Sequence, residues 1–235
     1  MISQLKVKVT NNTSIYINAI DNEVDETKRV YAINWFNTRS LWLYNFYNFV
    51  ASPFVKRVGG KVFIKAKVKK TLFGDIDDYR DMLLIVTYPT LLDFIQLVKN
   101  KFFIFVSFFR IFSVKEFTFG FTHRVDKTPS IELPTQSGSY AIHHYRTKQN
   151  IAQEIEVVAN QEKGVELYYL GETVALLSIG DNINSKEETP SIIDAIAIFR
   201  TDNDENMKLF LKDKKYFKIV EKTDSSFIAL VERVL

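Results

Sequence analysis

Three histidines are the side chains of this chain best suited to acid–base chemistry. They are His123, His143 and His144, and the 235 residues contain no others. Imidazole has an ordinary pKa close to neutrality, so each could act as a general base or orient a ligand. Neighbouring residues of a strand point to opposite faces of a sheet, so only one of His143 and His144 can face a given cavity. The alternative is a hydrogen-bonded histidine within the sheet, and the sequence favours it.

A repeated octapeptide adds two further candidates. YAINWFNT (31–38) and YAIHHYRT (140–147) share four of eight residues and begin 109 positions apart. Asn34 stands where the second copy has His143, and Trp35 stands where it has His144. Asn34 is a polar side chain in an apolar strand, and a buried polar group needs a hydrogen-bond partner. It is therefore a candidate either for binding a ligand or for a structural hydrogen bond.

Metal and cofactor sites are not predicted. The spacing of the three histidines leaves them on different strand faces, which argues against a three-histidine zinc site. The acidic stretch GDIDDYRD (74–81) has Arg80 and Val86 where a calcium loop needs Gly and Glu, so it reads as a solvated turn. No glycine-rich phosphate loop is present, and we expect no cofactor. Lys65, Lys67 and Lys69 alternate with apolar residues, which indicates either a protected edge strand or a basic face for an anion.

Composition excludes several classes of protein. The formal charge of +3 is small for a nucleic-acid-binding chain, and the absence of cysteine excludes disulfides and a thiol nucleophile. The longest apolar run, FFIFVSFFRIF (102–112), is shorter than the roughly 20 residues of a membrane span and contains Arg110. The N-terminus lacks the apolar core of a signal peptide. We therefore expect a cytoplasmic protein without nucleic-acid or membrane partners.

The order of elements predicts an α+β fold with two tandem ferredoxin-like (βαββαβ) repeats. The expected divisions are an N-terminal arm (1–27), a first repeat (28–125), a linker (126–138) and a second repeat (139–235). LIVTYPT (84–90) is aligned with AIAIFRT (195–201). Pro53 is expected to kink or end the first helix, and the run 102–112 is expected to extend the second. A four-stranded sheet with helices on one face leaves the other face open, so the halves are predicted to form an intramolecular α+β-barrel pseudo-dimer.

Motifs of the first half resemble those of the dimeric α+β-barrel superfamily, especially its small uncharacterised bacterial members. The matching stretches are YNFYNFVASPFVKRVGG (44–60) and DYRDMLLIVTYPTLLDF (78–94). The second half matches in layout only. The resemblance implies a small-molecule-binding or accessory protein for an apolar or aromatic ligand in a specialised metabolic pathway. The alternative it implies is a cofactor-free cyclase or monooxygenase acting on a polyketide-like or aromatic substrate.

The ligand site is expected in the first half, between sheet and helices, because the motifs are preserved there. The predicted ligand-binding residues are Asn34, Trp35, Phe36, Tyr88, His123 and His143, and no catalytic residue is assigned. The chain is predicted to be a monomeric pseudo-dimer or a higher oligomer formed through the phenylalanine-rich segment. The N-terminal arm is the favoured cover for that segment, because its two amphipathic strands have no other expected role.

Overall fold

A computed structural model describes residues 4–10, 13–18, 27–74, 79–125, 138–179 and 195–234. Residues 126–137 of the predicted linker and the aspartates at 75, 77 and 78 lie outside these ranges. The strands are β1 (Gln4–Thr10), β2 (Thr13–Asn18), β3 (Val30–Thr38), β4 (Lys61–Phe73), β5 (Met82–Tyr88), β6 (Val114–Arg124), β7 (Ser139–Arg146), β8 (Val165–Ile179), β9 (Ala195–Thr201) and β10 (Ser225–Arg233). The helices are α1 (Leu41–Arg57), α2 (Leu91–Lys99), α3 (Lys101–Ser113), α4 (Ala152–Gln161), α5 (Asp204–Lys212) and α6 (Lys214–Val220).

The strands follow the order β1-β2-β8-β6-β3-β5-β4-β10-β7-β9, and a further pairing of β9 with β8 closes eight of them into a barrel. This confirms an α+β fold. The chain divides into two compact units. Unit 1 is Met1–Lys65, Arg80–His123 and Thr173–Ile192; unit 2 is Ala66–Tyr79, Arg124–Glu172 and Ile193–Leu235. The long strands β4 and β8 contribute residues to both units.

In unit 1, alternate residues of β3 pack beneath the helices. Val30, Ala32 and Phe36 join one apolar core with Tyr44 of α1 and Val106 of α3. Ser40 begins α1, because its hydroxyl accepts a hydrogen bond from the Leu43 amide. The helix then continues through Pro53 to Arg57, so of the two predicted effects of the proline, a kink or an end, the end is wrong. Core packing on both sides of the proline offsets the lost backbone hydrogen bond.

The second helical region of unit 1 is two helices rather than one. Asn100 separates α2 from α3, and its side-chain oxygen accepts from the amides of Phe102 and Phe103. This asparagine cap starts a new helix with a new direction. Phe103 and Val106 of α3 are buried, whereas Phe102 is exposed.

The N-terminal arm is a hairpin. β1 pairs antiparallel with β2, and β2 pairs with β8. The rings of Phe102, Phe105, Phe108 and Phe112 in α3 are all exposed. The prediction that the arm covers them was therefore wrong, because sheet pairing with β8 takes up the arm.

Unit 2 has the helix faces that its periodicity predicts. Ile151 and Ile155 at α4, and Met207, Phe210 and Leu211 in α5, are all buried in one core. A further helix, α6, follows at once and adds Tyr216, Ile219 and Val220 to that core. The sequence analysis missed α6, which is only seven residues long.

The pairing of the first and last strands repeats with a constant offset. Tyr31 of β3 pairs with Thr122 of β6, and Tyr140 of β7 pairs with Val231 of β10. Both members of the second pair lie 109 positions after their counterparts. On the other side, Tyr31 pairs with Thr87 and Tyr140 with Arg200, which is an offset of 113. The predicted alignment of 84–90 with 195–201 was thus two residues out of register.

Substitution of two glycines allows the effect of backbone strain to be measured separately from that of steric clash. Gly59 and Gly164 both have positive φ, but a Cβ at Gly59 would lie 2.7 Å from Pro89 Cγ, whereas one at Gly164 meets nothing within 4 Å. We expect Gly164→Ala to lower the free energy of unfolding by about 1 kcal/mol, from backbone strain. Gly59→Ala should cost a further ~1–3 kcal/mol from overpacking. Urea unfolding measures both, and equal losses would contradict the clash with Pro89.

Candidate functional site

Asn34 lies at the centre of β3 and faces the helices, on the same side as Ala32 and Phe36. Its Nδ2 is 3.3 Å from the carbonyl oxygens of Ala32 and Leu84, to which it donates. Its Oδ1 accepts a 2.7 Å hydrogen bond from Nη2 of Arg110 in α3. The amide thus uses its donor on the sheet and directs its acceptor to a guanidinium group.

Three tyrosines share the electrostatic field of Arg110. They are Tyr44 and Tyr47 of α1 and Tyr88 of β5, and all three are buried. Burial raises the pKa of each phenol above its usual range, and the positive charge of Arg110 opposes part of that rise. The three hydroxyls therefore remain protonated at neutral pH, and each can donate a hydrogen bond. We call Asn34, Arg110 and these three tyrosines the tyrosine–arginine cluster.

Lys65 adds a second cation beside the cluster. Its Nζ lies 5.5 Å from the centre of the Tyr44 ring and donates a 3.1 Å hydrogen bond to Asn45 Oδ1. Burial lowers the pKa of this lysine. Further along β4, in unit 2, Lys69 forms a 2.9 Å ion pair with Asp204. Two of the three alternating lysines, Lys65 and Lys69, thus have specific partners.

A cleft of about 490 Å³ opens in unit 1 where α1 ends and α2 begins. Its apolar wall includes Phe54, Val58, Pro89 and Leu97. Its polar lining comprises Arg57, Asp93, Gln96 and Asn100, together with Gly59. Its volume falls within the range of small-molecule sites, although such sites are mostly apolar and about half of this lining is polar.

The polar residues of the cleft differ in whether their side chains already form hydrogen bonds within the protein. Asp93 forms a capping box with Thr90 at the start of α2, and Asn100 caps α3. Arg57 is exposed in the last turn of α1, and no carboxylate in the described part of the chain forms an ion pair with it. Arg57 is therefore the residue of the cleft whose positive charge is available to pair with a ligand.

Tyr88 links the cleft to the cluster. It immediately precedes Pro89 of the cleft wall, and a Cβ on Gly60 would lie 2.8 Å from its ring. Its ring packs edge-on against Phe94, with centres 5.3 Å apart. The glycine pair at 59–60 thus lets α1 end close against β5, and this approach shapes the floor of the cleft.

The predicted residues of unit 1 divide between two faces of β3. Phe36 is buried on the helix side, 4.8 Å ring to ring from Tyr44. Trp35 is also buried, but alternation along the strand turns it to the opposite face. Hence the structure brings Asn34, Phe36 and Tyr88 together beneath the helices, and Trp35 is not among them.

His123 lies away from this group. Asn34 pairs with Phe119 of β6, and His123 is four residues farther along that strand. At a rise of about 3.3 Å per residue the separation is roughly 13 Å along the sheet. His123 is half-buried near the end of β6 and does not join the tyrosine–arginine cluster.

His143 belongs to unit 2 and is fully buried. Its Nδ1 is 2.6 Å from the Tyr216 hydroxyl of α6, and its Nε2 is 2.9 Å from Ser226 Oγ. Ser226 Oγ is in turn 2.7 Å from Thr223 Oγ1, which donates to the Val220 carbonyl at 2.7 Å. Burial, and secondarily the neighbouring His144, lower the pKa of His143 to about 3.

The direction of this chain of hydrogen bonds fixes the tautomer. The Thr223 proton is given to a carbonyl, so Thr223 accepts from Ser226, and Ser226 accepts from the protonated Nε2 of His143. Nδ1 is then the acceptor for the Tyr216 hydroxyl. Every hydrogen-bonding atom of the neutral imidazole is used, so His143 has no free lone pair for general-base chemistry. Its role in this structure is to join β7, α6 and β10.

Sequence reasoning missed Arg110, Tyr44, Tyr47 and Arg57. One signal was present for Arg110, because it is the only charged residue of the run 102–112. A lone charge in such a run must either reach solvent or find a buried partner. No comparable local signal marks the tyrosines or Arg57.

Comparisons with known proteins define the fold. No family model matches the chain, and no curated protein matches it. A solved structure of an anthrone oxidase-like protein is similar, with 11% identity and a TM-score of 0.53, over 89% of this chain and 93% of that one. A proposed monooxygenase from Fusobacterium nucleatum subsp. nucleatum has 11% identity and a TM-score of 0.52, over 89% and 94%. This chain is therefore similar in fold to oxygenase-type α+β-barrel proteins.

None of the helices in the described ranges is long and apolar enough to cross a membrane.

The buried state of His143 predicts a pH dependence of stability. Its pKa of about 3 in the folded chain is below the ordinary 6.5, so the unfolded chain binds the extra proton between these values. The stabilisation is complete above pH 6.5 and is lost as the pH falls towards 3. Between pH 6 and 4 this one group should contribute a slope of about 1.4 kcal/mol per pH unit. His143→Gln should remove that slope in urea unfolding measured across this range.

A pair of adjacent serines provides the control. Ser226 accepts from His143 and is buried, whereas Ser225 is exposed. Ser226→Ala should lower the free energy of unfolding by about 1–3 kcal/mol, and Ser225→Ala should change it by less than about 0.5 kcal/mol. An imidazole of His143 that titrates near pH 6.5 by NMR would contradict the network.

Proposed function

We propose that unit 1 binds a small aromatic or apolar acid in the cleft at the end of α1. The observation that carries this proposal is the cleft itself, which combines apolar walls with the uncommitted guanidinium of Arg57. Phe54 and Leu97 provide surface for a ring, and Gln96 adds an amide at the rim. A guanidinium can bind a carboxylate through two parallel hydrogen bonds.

The neighbouring charges also favour an anionic ligand over a cationic one. Asp93 is the carboxylate of the lining, and it already accepts hydrogen bonds from the backbone amide and hydroxyl of Thr90. Its negative charge complements the N-terminus of α2. The formal charges of Arg57 and Asp93 sum to zero, but the carboxylate of Asp93 is held by Thr90, so the guanidinium of Arg57 is the charge that can pair with a ligand.

Titration with 2-naphthoate tests the proposal, with 2-naphthamide as its neutral counterpart. We expect 2-naphthoate to shift the NMR amide signals of Gly59 and Gly60 in a saturable way. Arg57→Gln should weaken this binding about tenfold, which corresponds to the loss of roughly 1.4 kcal/mol for one charge-assisted pair. The affinity of 2-naphthamide should not change.

Lys56→Gln is the matched control. Lys56 is the exposed basic neighbour of Arg57 and does not line the cleft. The Lys56→Gln variant should bind 2-naphthoate as the unaltered chain does. Equal weakening in both variants would mean that only the general charge of the surface attracts the probe. No shift at Gly59 and Gly60 at millimolar probe would contradict the site.

A cofactor-free oxygenase is the second candidate, and the tyrosine–arginine cluster favours it. A guanidinium held by Asn34 beside protonated phenols can stabilise an enolate or phenolate, because both kinds of group donate hydrogen bonds to oxygen anions. Similarity to an anthrone oxidase-like protein suggests an anthrone as the trial substrate. Loss of a proton from its methylene carbon to solvent water gives the anion. Molecular oxygen then oxidises that carbon to a ketone, and the two methylene hydrogens leave with one oxygen atom as water. Each anthrone consumes one molecule of oxygen and yields one anthraquinone.

Oxygen uptake with dithranol, a hydroxylated anthrone, tests this second candidate. We expect uptake faster than the uncatalysed rate, and a fall of about tenfold or more in Arg110→Gln. Arg57→Gln is the control and should change neither kcat nor KM, since dithranol has no carboxylate and Arg57 lies outside the tyrosine–arginine cluster. Uptake at the uncatalysed rate would leave unit 1 as a binding module only.

We also infer that the chain is an internal duplication of a ferredoxin-like repeat, about 28–125 and 139–235. Two observations support this. Each half has the order strand, helix, strand, strand, two helices, strand, and the β3–β6 and β7–β10 pairings keep an offset of 109. Asn34 and His143 then occupy equivalent positions, and each bonds to the last helix of its half. Duplication explains how one position can serve a ligand site and the other a structural network.

A further inference from the structure

Helices α1 and α3 of unit 1 lie side by side and antiparallel. The amide of Ser40, which precedes α1, donates to the carbonyl of Ser113 at the end of α3. At the other end, the ring of Phe54 in α1 packs 6.3 Å from that of Phe103 near the start of α3. The two helices therefore present one continuous outer surface, which we call the aromatic face.

The aromatic face is dominated by exposed rings. Trp42 is 75% exposed, Phe49 is 80% exposed and Phe105 is 68% exposed. Other large apolar side chains exposed on these helices are Leu41, Phe46, Phe102, Ile104, Phe108, Ile111 and Phe112. Since one aromatic side chain has about 150–250 Å² to bury, this surface exceeds the few hundred Å² that is usual for a monomer.

The rings form a connected set across both helices. Trp42 stacks on Phe46 at 6.0 Å, Phe46 meets Phe109 edge-on at 5.3 Å, and Phe109 meets Phe105 at 6.4 Å. Ring contacts thus connect α1 to α3 across the aromatic face.

Basic residues border the aromatic face at both ends. Arg39 and Lys115 lie where α1 begins and α3 ends, and Lys56, Lys99 and Lys101 lie at the opposite end. All five are exposed, and none forms an ion pair within the described part of the chain. Neither α1 nor α3 contains an aspartate or a glutamate.

We propose that the aromatic face is a peripheral docking site for an anionic lipid bilayer, with the rings inserted at the interface and the bordering lysines and arginines on the headgroups. Tryptophan and phenylalanine on one side of a helix, with basic residues beside them, are the features that hold a helix in the plane of a bilayer surface. The pattern of charges favours an anionic lipid surface over a second copy of this chain. A second copy of this face would bring lysines against lysines, whereas an anionic surface complements them.

This proposal changes the sequence-based expectation of no membrane partner. That expectation rested on the absence of a spanning segment, and a protein lying on the surface does not need one. The aromatic run 102–112 is half of the face, and α1 supplies the other half from a distant part of the sequence.

Co-flotation with vesicles tests the proposal in the full chain. We expect the chain to float with phosphatidylcholine vesicles that contain phosphatidylserine and to bind at least tenfold less to pure phosphatidylcholine. Lys99→Gln with Lys101→Gln should lower binding about fivefold per charge removed. Added salt should weaken binding as well. Trp42 fluorescence should shift to shorter wavelength on binding, while the buried Trp35 contributes a constant background.

Substitutions of exposed apolar residues provide the decisive comparison. Phe49→Ser with Phe105→Ser should reduce binding tenfold or more, with circular dichroism unchanged. Leu209→Ser in α5 of unit 2 is the matched control, because Leu209 is 65% exposed outside the aromatic face. It should bind vesicles as the unaltered chain does. Equal binding by the double variant and the control would overturn the proposal. The proposal would also be overturned if the unaltered chain formed a homodimer that does not bind anionic vesicles, and if the double substitution caused that homodimer to dissociate.

Discussion

The hydrogen bond between Asn34 and Arg110 constrains much of unit 1. A polar side chain at the centre of a buried strand costs about 1–3 kcal/mol if it is left without a partner. The guanidinium of α3 satisfies the amide oxygen of Asn34, which requires Arg110 to face the sheet. Because a helix turns by about 100° per residue, the same choice turns Phe105, Phe108 and Phe112 outward. One buried amide thus accounts for the placement of a charge beneath the helices and of an apolar surface above them.

In unit 2, His143 is also a buried polar side chain that needs a hydrogen-bond partner, but its partners are of a different kind. His143 stands where Asn34 stands in unit 1, and it is also satisfied from the last helix, here by Tyr216 of α6. Its network continues through Ser226 and Thr223 to a backbone carbonyl, so every donor and acceptor is used. Such a closed network stabilises packing but leaves nothing for a ligand. In unit 1 the partner of the polar group is the guanidinium of Arg110, and Tyr88 of the same cluster immediately precedes Pro89 of the cleft wall.

The cleft depends on a close approach of backbone that only glycine permits. Gly59 and Gly60 end α1 directly against Pro89 and Tyr88, where any Cβ would overlap these side chains. The same turn places Arg57 at the rim, with its helix C-terminus favouring a positive charge there. Tyr88 of the tyrosine–arginine cluster immediately precedes Pro89 of this wall. The glycine turn therefore positions the cleft and Arg57, whereas Arg110 of the cluster is positioned by α3.

Local patterns in the sequence determined the elements and their buried faces. Alternation along 140–145 correctly grouped His143 with Ala141 and Tyr145, and helical spacing identified Met207, Phe210 and Leu211 as core residues, because both patterns depend only on neighbouring positions. Only the tertiary structure decided the rest. Arg110 meets Asn34 across 76 positions, α1 continues through Pro53 because of packing on both sides, and Asn100 divides a run that reads as one helix. Contacts between residues so far apart in the sequence depend on the geometry of the folded chain, so the periodicity of the sequence does not predict them.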